Sequence, residues 1–190
     1  MLSQSTLKSA LQDLMTNQKG TDKPSAAANW ADAFDAYGAG VTNINGDGPL
    51  APPNKLGFQA ALSFSGTTSA QQAQEFATAW KAYFTALVFT PGTPGTINGG
   101  PCPNLGGNTI FGIIASSTVT VINEIPLIAA LQGHFDSFSG TDPEAAADAL
   151  ASIFHSHTIT LANLTVLTSG TDTTPPPAGP LPITNTCGVF

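Results

Sequence analysis

Leu7, Leu11 and Leu14 recur at i, i+4 and i+7, a spacing that predicts a helix over 3–17 with Ser3 as its N-cap. After Gln18-Lys19-Gly20, a second helix is expected from Pro24-Ser25 to about Gly40. It would place Ala27, Trp30, Ala31, Phe34, Tyr37 and Val41 on one face and leave Asp32 and Asp35 off it. The Asn-, Gly- and Pro-rich run 43–53 reads as a loop, and a short helix follows over 55–64, weakened by Gly57. The clearest period lies in 69–88, where Ala73, Phe76, Ala77, Trp80, Phe84, Leu87 and Val88 form one stripe. Ser69 can cap this helix, and Thr90-Pro91-Gly92 stops it. Its two Phe rings and Trp read as core packing, with an aromatic ligand box as the alternative.

The second half changes period twice. Residues 90–107 repeat Pro and Gly and form a long loop, and 109–122 is rich in Ile, Val and Thr. That composition predicts extended structure, with a helix as the competing reading. A helix over 124–138 places Pro126 in its first turn and Leu127, Leu131, His134 and Phe138 on one face. Thr141-Asp142-Pro143-Glu144 is a helix start with Thr141 as cap and Glu144 completing a capping box. The stripe that follows is Ala146, Ala149, Leu150, Ile153, Phe154 and His157. Residues 158–168 alternate as a strand, with Ile159 and Leu161 on one face, Leu164 and Val166 on the other, and a bulge or bend near Ala162-Asn163.

These elements predict a mainly α fold with a small β element near 110–122 and 158–168, an α+β arrangement in which the sheet is minor. The chain divides into one domain over 1–170 and a Pro-rich extended tail over 171–190, with Thr173-Thr174-Pro175-Pro176-Pro177 as a stiff spacer. The tail's apolar residues Leu181, Ile183, Val189 and Phe190 are candidates for an interface with a neighbouring subunit. The rival arrangement folds the tail back on its own domain.

Composition narrows the function classes. Apolar residues make up 42% of the chain and charged residues 9%, against roughly 25% charged in an average domain. A surface so poor in charge repels its neighbours weakly and suits a protein that packs into an assembly. The five basic side chains are Lys8, Lys19, Lys23, Lys55 and Lys81, there is no Arg, and the net charge is -7. Residues 82–190 carry six acids and neither Lys nor Arg. Nucleic-acid binding draws on Lys and Arg to neutralise phosphates, so nucleic-acid and nucleotide partners are not expected. The start Met1-Leu2-Ser3-Gln4 lacks the basic-then-apolar pattern of a signal peptide, and the apolar run near 109–122 is too short to span a bilayer. Synthesis in the cytosol and no membrane partner are therefore expected. Cys102 and Cys187 match no metal or redox motif. Two loop thiols and a Cys102–Cys187 bridge both remain open.

No residue set carries recognisable chemistry. His155 and His157 share a face only on a strand, and with His134 they lack the spacing of a zinc site. Asp142, Glu144 and Asp148 are explained by a helix N-terminus. Asn45-Gly46-Asp47-Gly48 lacks the ligands of a calcium loop, and the sequon Asn163-Leu164-Thr165 has no meaning in a cytosolic chain. No nucleophile elbow, Walker loop or dinucleotide fingerprint is present. The sequence thus gives no catalytic, cofactor-binding or metal residues, and no enzyme is expected.

One arrangement is familiar as a whole. The segment Trp-Ala-Asp-Ala-Phe-Asp-Ala-Tyr (Trp30 to Tyr37) precedes an aromatic Ala-rich helix (Ala70 to Phe89) and a Pro/Gly loop. An Ala-rich helix ending Phe154-His155-Ser156-His157-Thr158 then runs into a Thr/Val strand and a Pro-Pro-Pro tail. This pattern, over most of the chain, resembles small uncharacterised virion structural proteins of tailed double-stranded DNA bacteriophages. The resemblance implies a virion component of the head, neck or tail, present in many copies, made in the host cytoplasm and bound to copies of itself or other virion proteins. A small binding module for a sugar or peptide, using Trp30, Trp80 or the long loop, is the rival. Exposure of the two Trp residues separates the readings.

Overall fold

Six segments are expected to be helical, and among the described residues six helices form. The computed structural model describes residues 1–18, 20–42, 48–50, 53–85, 87–89, 95–97, 110–138, 142–172, 181–187 and 189, with backbone only for 95–97, 110–117, 168–172 and 181–187. The helices are α1 (Gln4–Thr16), α2 (Lys23–Gly38), α3 (Lys55–Ala61), α4 (Ser69–Phe84), α5 (Ile125–Ser137) and α6 (Pro143–Thr158). The strands are β1 (Gly95–Ile97), β2 (Ile110–Ile122), β3 (Leu164–Asp172) and β4 (Leu181–Cys187), joined in one antiparallel sheet of order β1-β2-β3-β4. The chain is mainly helical with a smaller antiparallel sheet, as the hydrophobic periods predict. Among the described residues no helix is long and apolar enough to cross a membrane.

Caps explain where most helices begin. Ser3 accepts the Thr6 amide at 3.3 Å. The start of α2 is set by Asp22, which forms a reciprocal capping box with Ser25. Thr68 rather than Ser69 caps α4, because Gln71 lies three residues after Thr68 and returns the bond. Asp142 rather than Thr141 caps α6, since its carboxylate accepts both the Glu144 and Ala145 amides.

Two expected boundaries move. The aromatic helix ends at Phe84 instead of reaching 88: Thr85 turns to extended backbone and its hydroxyl bonds back to the Lys81 carbonyl at 2.7 Å. Leu87 and Val88 then act as sheet-like residues, with the Leu87 carbonyl accepting the Val119 amide and Val88 bridging Thr118. The last helix, conversely, runs through Thr158, so Ile159 and Leu161 are not strand residues. The break in alternation near Ala162-Asn163 is a turn, and β3 begins after it at Leu164. The register slips lie instead on β2, between Ile114 and Ser116 and between Val119 and Val121. Strand β3 also crosses the expected domain boundary at 170.

The core is built around α4 and α6. Helix α1 packs on α2 and α6, α3 on α2 and α4, and α5 on α4 and α6. Phe34 is fully buried, stacked on Phe58 at 4.4 Å and edge-on to Phe154 at 4.7 Å. The α2–α4 approach needs Gly38, because a Cβ there would lie 2.1 Å from the Tyr83 hydroxyl. Trp80 has no exposed surface, and its indole N–H donates to the Thr158 hydroxyl at 2.9 Å. Thr158 in turn donates to the Phe154 carbonyl at 2.7 Å, so one buried hydroxyl satisfies both helices.

The sheet meets this body at one end. Leu164 and Val166 are buried, and Val119 and Ile122 pack partly buried against the same core. Strand β2 has 13 residues and α4 has 16, which correspond to about 43 Å and about 24 Å of length. The strand is thus much longer than the helix it contacts, and its ladder with β3 runs from Ile122↔Leu164 at the body to Gly112↔Asp172 at the far end.

Two substitutions test the α4–α6 contact. Trp80→Ala is expected to cost about 3–5 kcal/mol in urea denaturation followed by circular dichroism. Thr158→Val, similar in shape but unable to accept the indole N–H, is expected to cost about 1–3 kcal/mol. Wild-type midpoints for both would remove this contact from the core.

Candidate functional site

An aromatic cleft lies where five helices meet. Met15 from α1, Trp30 from α2, Phe76 from α4 and His134, Phe135 and Phe138 from the end of α5 line a cleft of about 280 Å³. Pro143, Ala146 and Leu150 of α6 complete it. Trp30 meets Phe76 edge-on at 4.7 Å, Phe76 lies 5.9 Å from Phe135, and His134 stacks on Phe138 at 5.3 Å. Trp30 is partly buried and Phe138 is 38% exposed, so ring surface is accessible at the mouth. Burial lowers the pKa of His134, which favours the neutral imidazole at neutral pH. The lining offers apolar and aromatic contact with one imidazole. It suits an aliphatic or aromatic group better than a phosphate, which needs clustered cations.

The two tryptophans therefore part company: Trp80 is closed in the core, and Trp30 stands at the cleft. In a helical wheel both belong to apolar stripes. The difference lies in what the neighbouring helices cover, which periodicity along one helix does not register.

The three histidines go to separate places. His155 Nδ1 lies 3.1 Å from the Tyr37 hydroxyl, tying α6 to α2. His157 is buried against Trp80 with ring centroids 4.5 Å apart. His134 is at the cleft, and among the described residues no His, Cys, Asp or Glu cluster suited to a metal occurs. The carboxylates of α6 are engaged in structure: Asp142 caps the helix, and Lys8 reaches Asp148 at 3.1 Å and Glu144 at 3.8 Å. These ion pairs are exposed and join α1 to α6. Asn163 of the sequon is 7% exposed, with its amide turned inward to His157. Residues 43–47 and Cys102 lie outside the described residues.

The part of the tail that the structure describes is paired within its own chain. Leu181 and Ile183 belong to β4, which pairs along its length with β3 of the same chain, Asp172↔Leu181 to Val166↔Cys187. Val189 is 1% exposed and joins the core. Phe190 lies outside the described residues. The extended backbone that follows the proline spacer finds its hydrogen bonds on β3, so an intermolecular seat for Val189 would require it to leave its own core.

One structural device was not legible in the sequence. Glu75 of α4 accepts from the backbone amides of Ser65 and Gly66 and from the hydroxyls of Ser63 and Ser65. Lys23 donates to the Phe64 carbonyl at 2.7 Å. Together they hold Phe64 at φ 47, a left-handed conformation rare for an aromatic residue. The fourfold grip on one carboxylate depends on how the chain returns from α3 to α4, not on any local motif.

No family model matches the chain, and no curated protein and no solved structure matches it.

Proposed function

We propose that this protein is a non-catalytic structural component of a tailed-bacteriophage virion, acting through protein–protein contacts with copies of itself or other virion proteins. The observation that carries the reading is a long sheet anchored to a helical body at one end, on a chain with 9% charged residues and no Arg. A ladder longer than the helix it contacts offers backbone edges for a repeated neighbour, and scarce charge keeps repulsion between copies low. Large apolar side chains at the surface add to this: Leu50, Leu56, Ile125 and Ile159 are between 45% and 75% exposed. Among these, Leu56 borders a second groove of about 410 Å³ between α2 and α3. Location in the head, neck or tail follows from the partner and not from the fold.

The cleft beside Trp30 favours a second reading, a small binding module for a sugar or peptide. Aromatic walls can stack on a sugar face or receive an apolar peptide side chain. The two readings part in solution. An assembly component is expected to self-associate with rising concentration in sedimentation velocity, or to co-purify with particles. A chain that stays monomeric to high concentration and is absent from particles would sink the virion reading.

Two further outcomes follow. Val189→Asp places a carboxylate in the monomer's own core and is expected to lower the melting temperature of the isolated chain. An unchanged melting temperature would instead locate Val189 on a neighbour. With -6 charge and no Lys or Arg beyond Lys81, the purified protein is expected to give no DNA band shift at physiological salt. A shift that weakens steeply with added salt would contradict that expectation.

A further inference from the structure

The joint between sheet and helical body contains a histidine whose hydrogen bonds require one protonation state. His157 is 6% exposed, beside Trp80. Asn163 Nδ2 lies 3.0 Å from His157 Nδ1 and also 3.3 Å from the His157 carbonyl oxygen. A carbonyl only accepts, so the NH₂ side of the amide must face it, and this fixes the orientation of the Asn163 side chain. The same NH₂ then donates to Nδ1, which must be unprotonated. The ring proton therefore sits on Nε2, a buried atom that makes no hydrogen bond of good geometry, although the Asn123 backbone lies close enough to favour a proton on the ring.

Asn163 is also a structural hinge-pin. Its backbone carbonyl accepts the Asn123 amide at 2.8 Å, immediately beside the Ile122↔Leu164 pair that begins the β2–β3 ladder. Each element packed on His157 contributes a defined group. Helix α4 brings Trp80, whose N–H is held by the neighbouring Thr158, and Lys81. The link between β2 and α5 brings Asn123 and Glu124, and Lys81 pairs with Glu124 at 2.7 Å. The turn before β3 brings Asn163.

We propose that His157 is a pH-sensitive latch whose protonation opens the joint between the helical body and the β2–β3 ladder. A proton on Nδ1 sets an N–H against the NH₂ of Asn163, two donors with no acceptor between them. The Asn163 amide then has to turn or withdraw, and it loses its bond to the His157 carbonyl. Because the Asn163 backbone holds Asn123, the displacement is passed to the first rung of the ladder. Burial lowers the His157 pKa, while the Asn123 backbone and the Glu124 carboxylate act in the opposite direction. The net lowering makes the neutral ring the folded-state form. The latch is complete above the unfolded value of 6.5, and its stabilisation is lost as pH falls through 6.5 toward the lowered folded value. His134 and His155 are shifted the same way by burial but lie at the cleft and at Tyr37, away from the joint.

Hydrogen exchange of the unaltered protein at pH 7.5 and pH 5.5, corrected for intrinsic rates, tests the latch. The amides of Asn123 and of 164–166 are expected to gain exchange relative to those of α1, by up to about tenfold, because pH 5.5 lies one unit below the unfolded value of 6.5. An NMR titration of the labelled imidazoles should show His157 protonating below 6.5 as the joint amides shift. His157→Asn keeps a side-chain oxygen as acceptor for Asn163 and cannot titrate, so the joint should lose its pH response. His134→Asn should keep it. Equal exchange gains in α1 and the joint, a His157 titration at or above 6.5, or an undiminished response in a folded His157→Asn would each overturn the proposal. If the variant does not fold, the exchange and titration of the unaltered protein decide.

Discussion

An indole sealed from water must find an acceptor for its N–H, and in this protein that acceptor is the hydroxyl of Thr158. The bond crosses from near the C-terminal turn of α4 to the last residue of α6, and much of the structure follows from it. It requires α6 to remain helical through Thr158, which carries His157 into the core beside Trp80 and delays the strand until Leu164. Thr158 meets both obligations because a hydroxyl can accept from the indole and donate to the Phe154 carbonyl at once. The interior at this point is therefore a polar contact surrounded by rings, not a purely apolar seam.

That contact also fixes where the sheet joins the body. The turn that ends α6 places Asn163 on His157 and its carbonyl on the Asn123 amide, so β3 starts in register with the end of β2. On the other side of β2, the segment after α4 pairs through Leu87 and Val88 with Val119 and Thr118. The base of the sheet is thus held from two directions by the ends of α4 and α6. Beyond that base the described pairing is strand to strand, including the return of β4 along β3. The ladder is thus attached to the body at one end and is longer than the helix it contacts.

The cleft beside Trp30 has a different origin. Helices α5 and α6 contact each other, but the surface beside Trp30 and Phe76 is left as a hollow walled by rings. Its neutral, aromatic lining restricts what it can accept to apolar or ring-bearing groups. The acids on α6 do not extend this chemistry, because Asp142 is committed to its cap and Glu144 and Asp148 to Lys8.

Local pattern in the sequence determined where the helices lie, much of what they bury and the position of β2, because an amphipathic period and a capping side chain act within a few residues. Leu7, Leu11 and Leu14 are buried as their spacing requires, as are Ala27, Ala31, Phe34 and Tyr37. The sparse charge and missing arginines were likewise readable without a fold. Tertiary structure decided the rest, because it depends on groups far apart in the chain. Trp80 holds Thr158 from 78 positions away, so alternation alone placed the last strand six residues too early. The partner of β4 was equally hidden: an extended apolar tail after a proline spacer has the same local signature on its own sheet or on a neighbour's. Trp30 and Trp80 sit in like stripes, and only the packing of α5 and α6 leaves one at a cleft and closes the other in the core. Period reports which face of an element is apolar, whereas what covers that face is set by long-range packing.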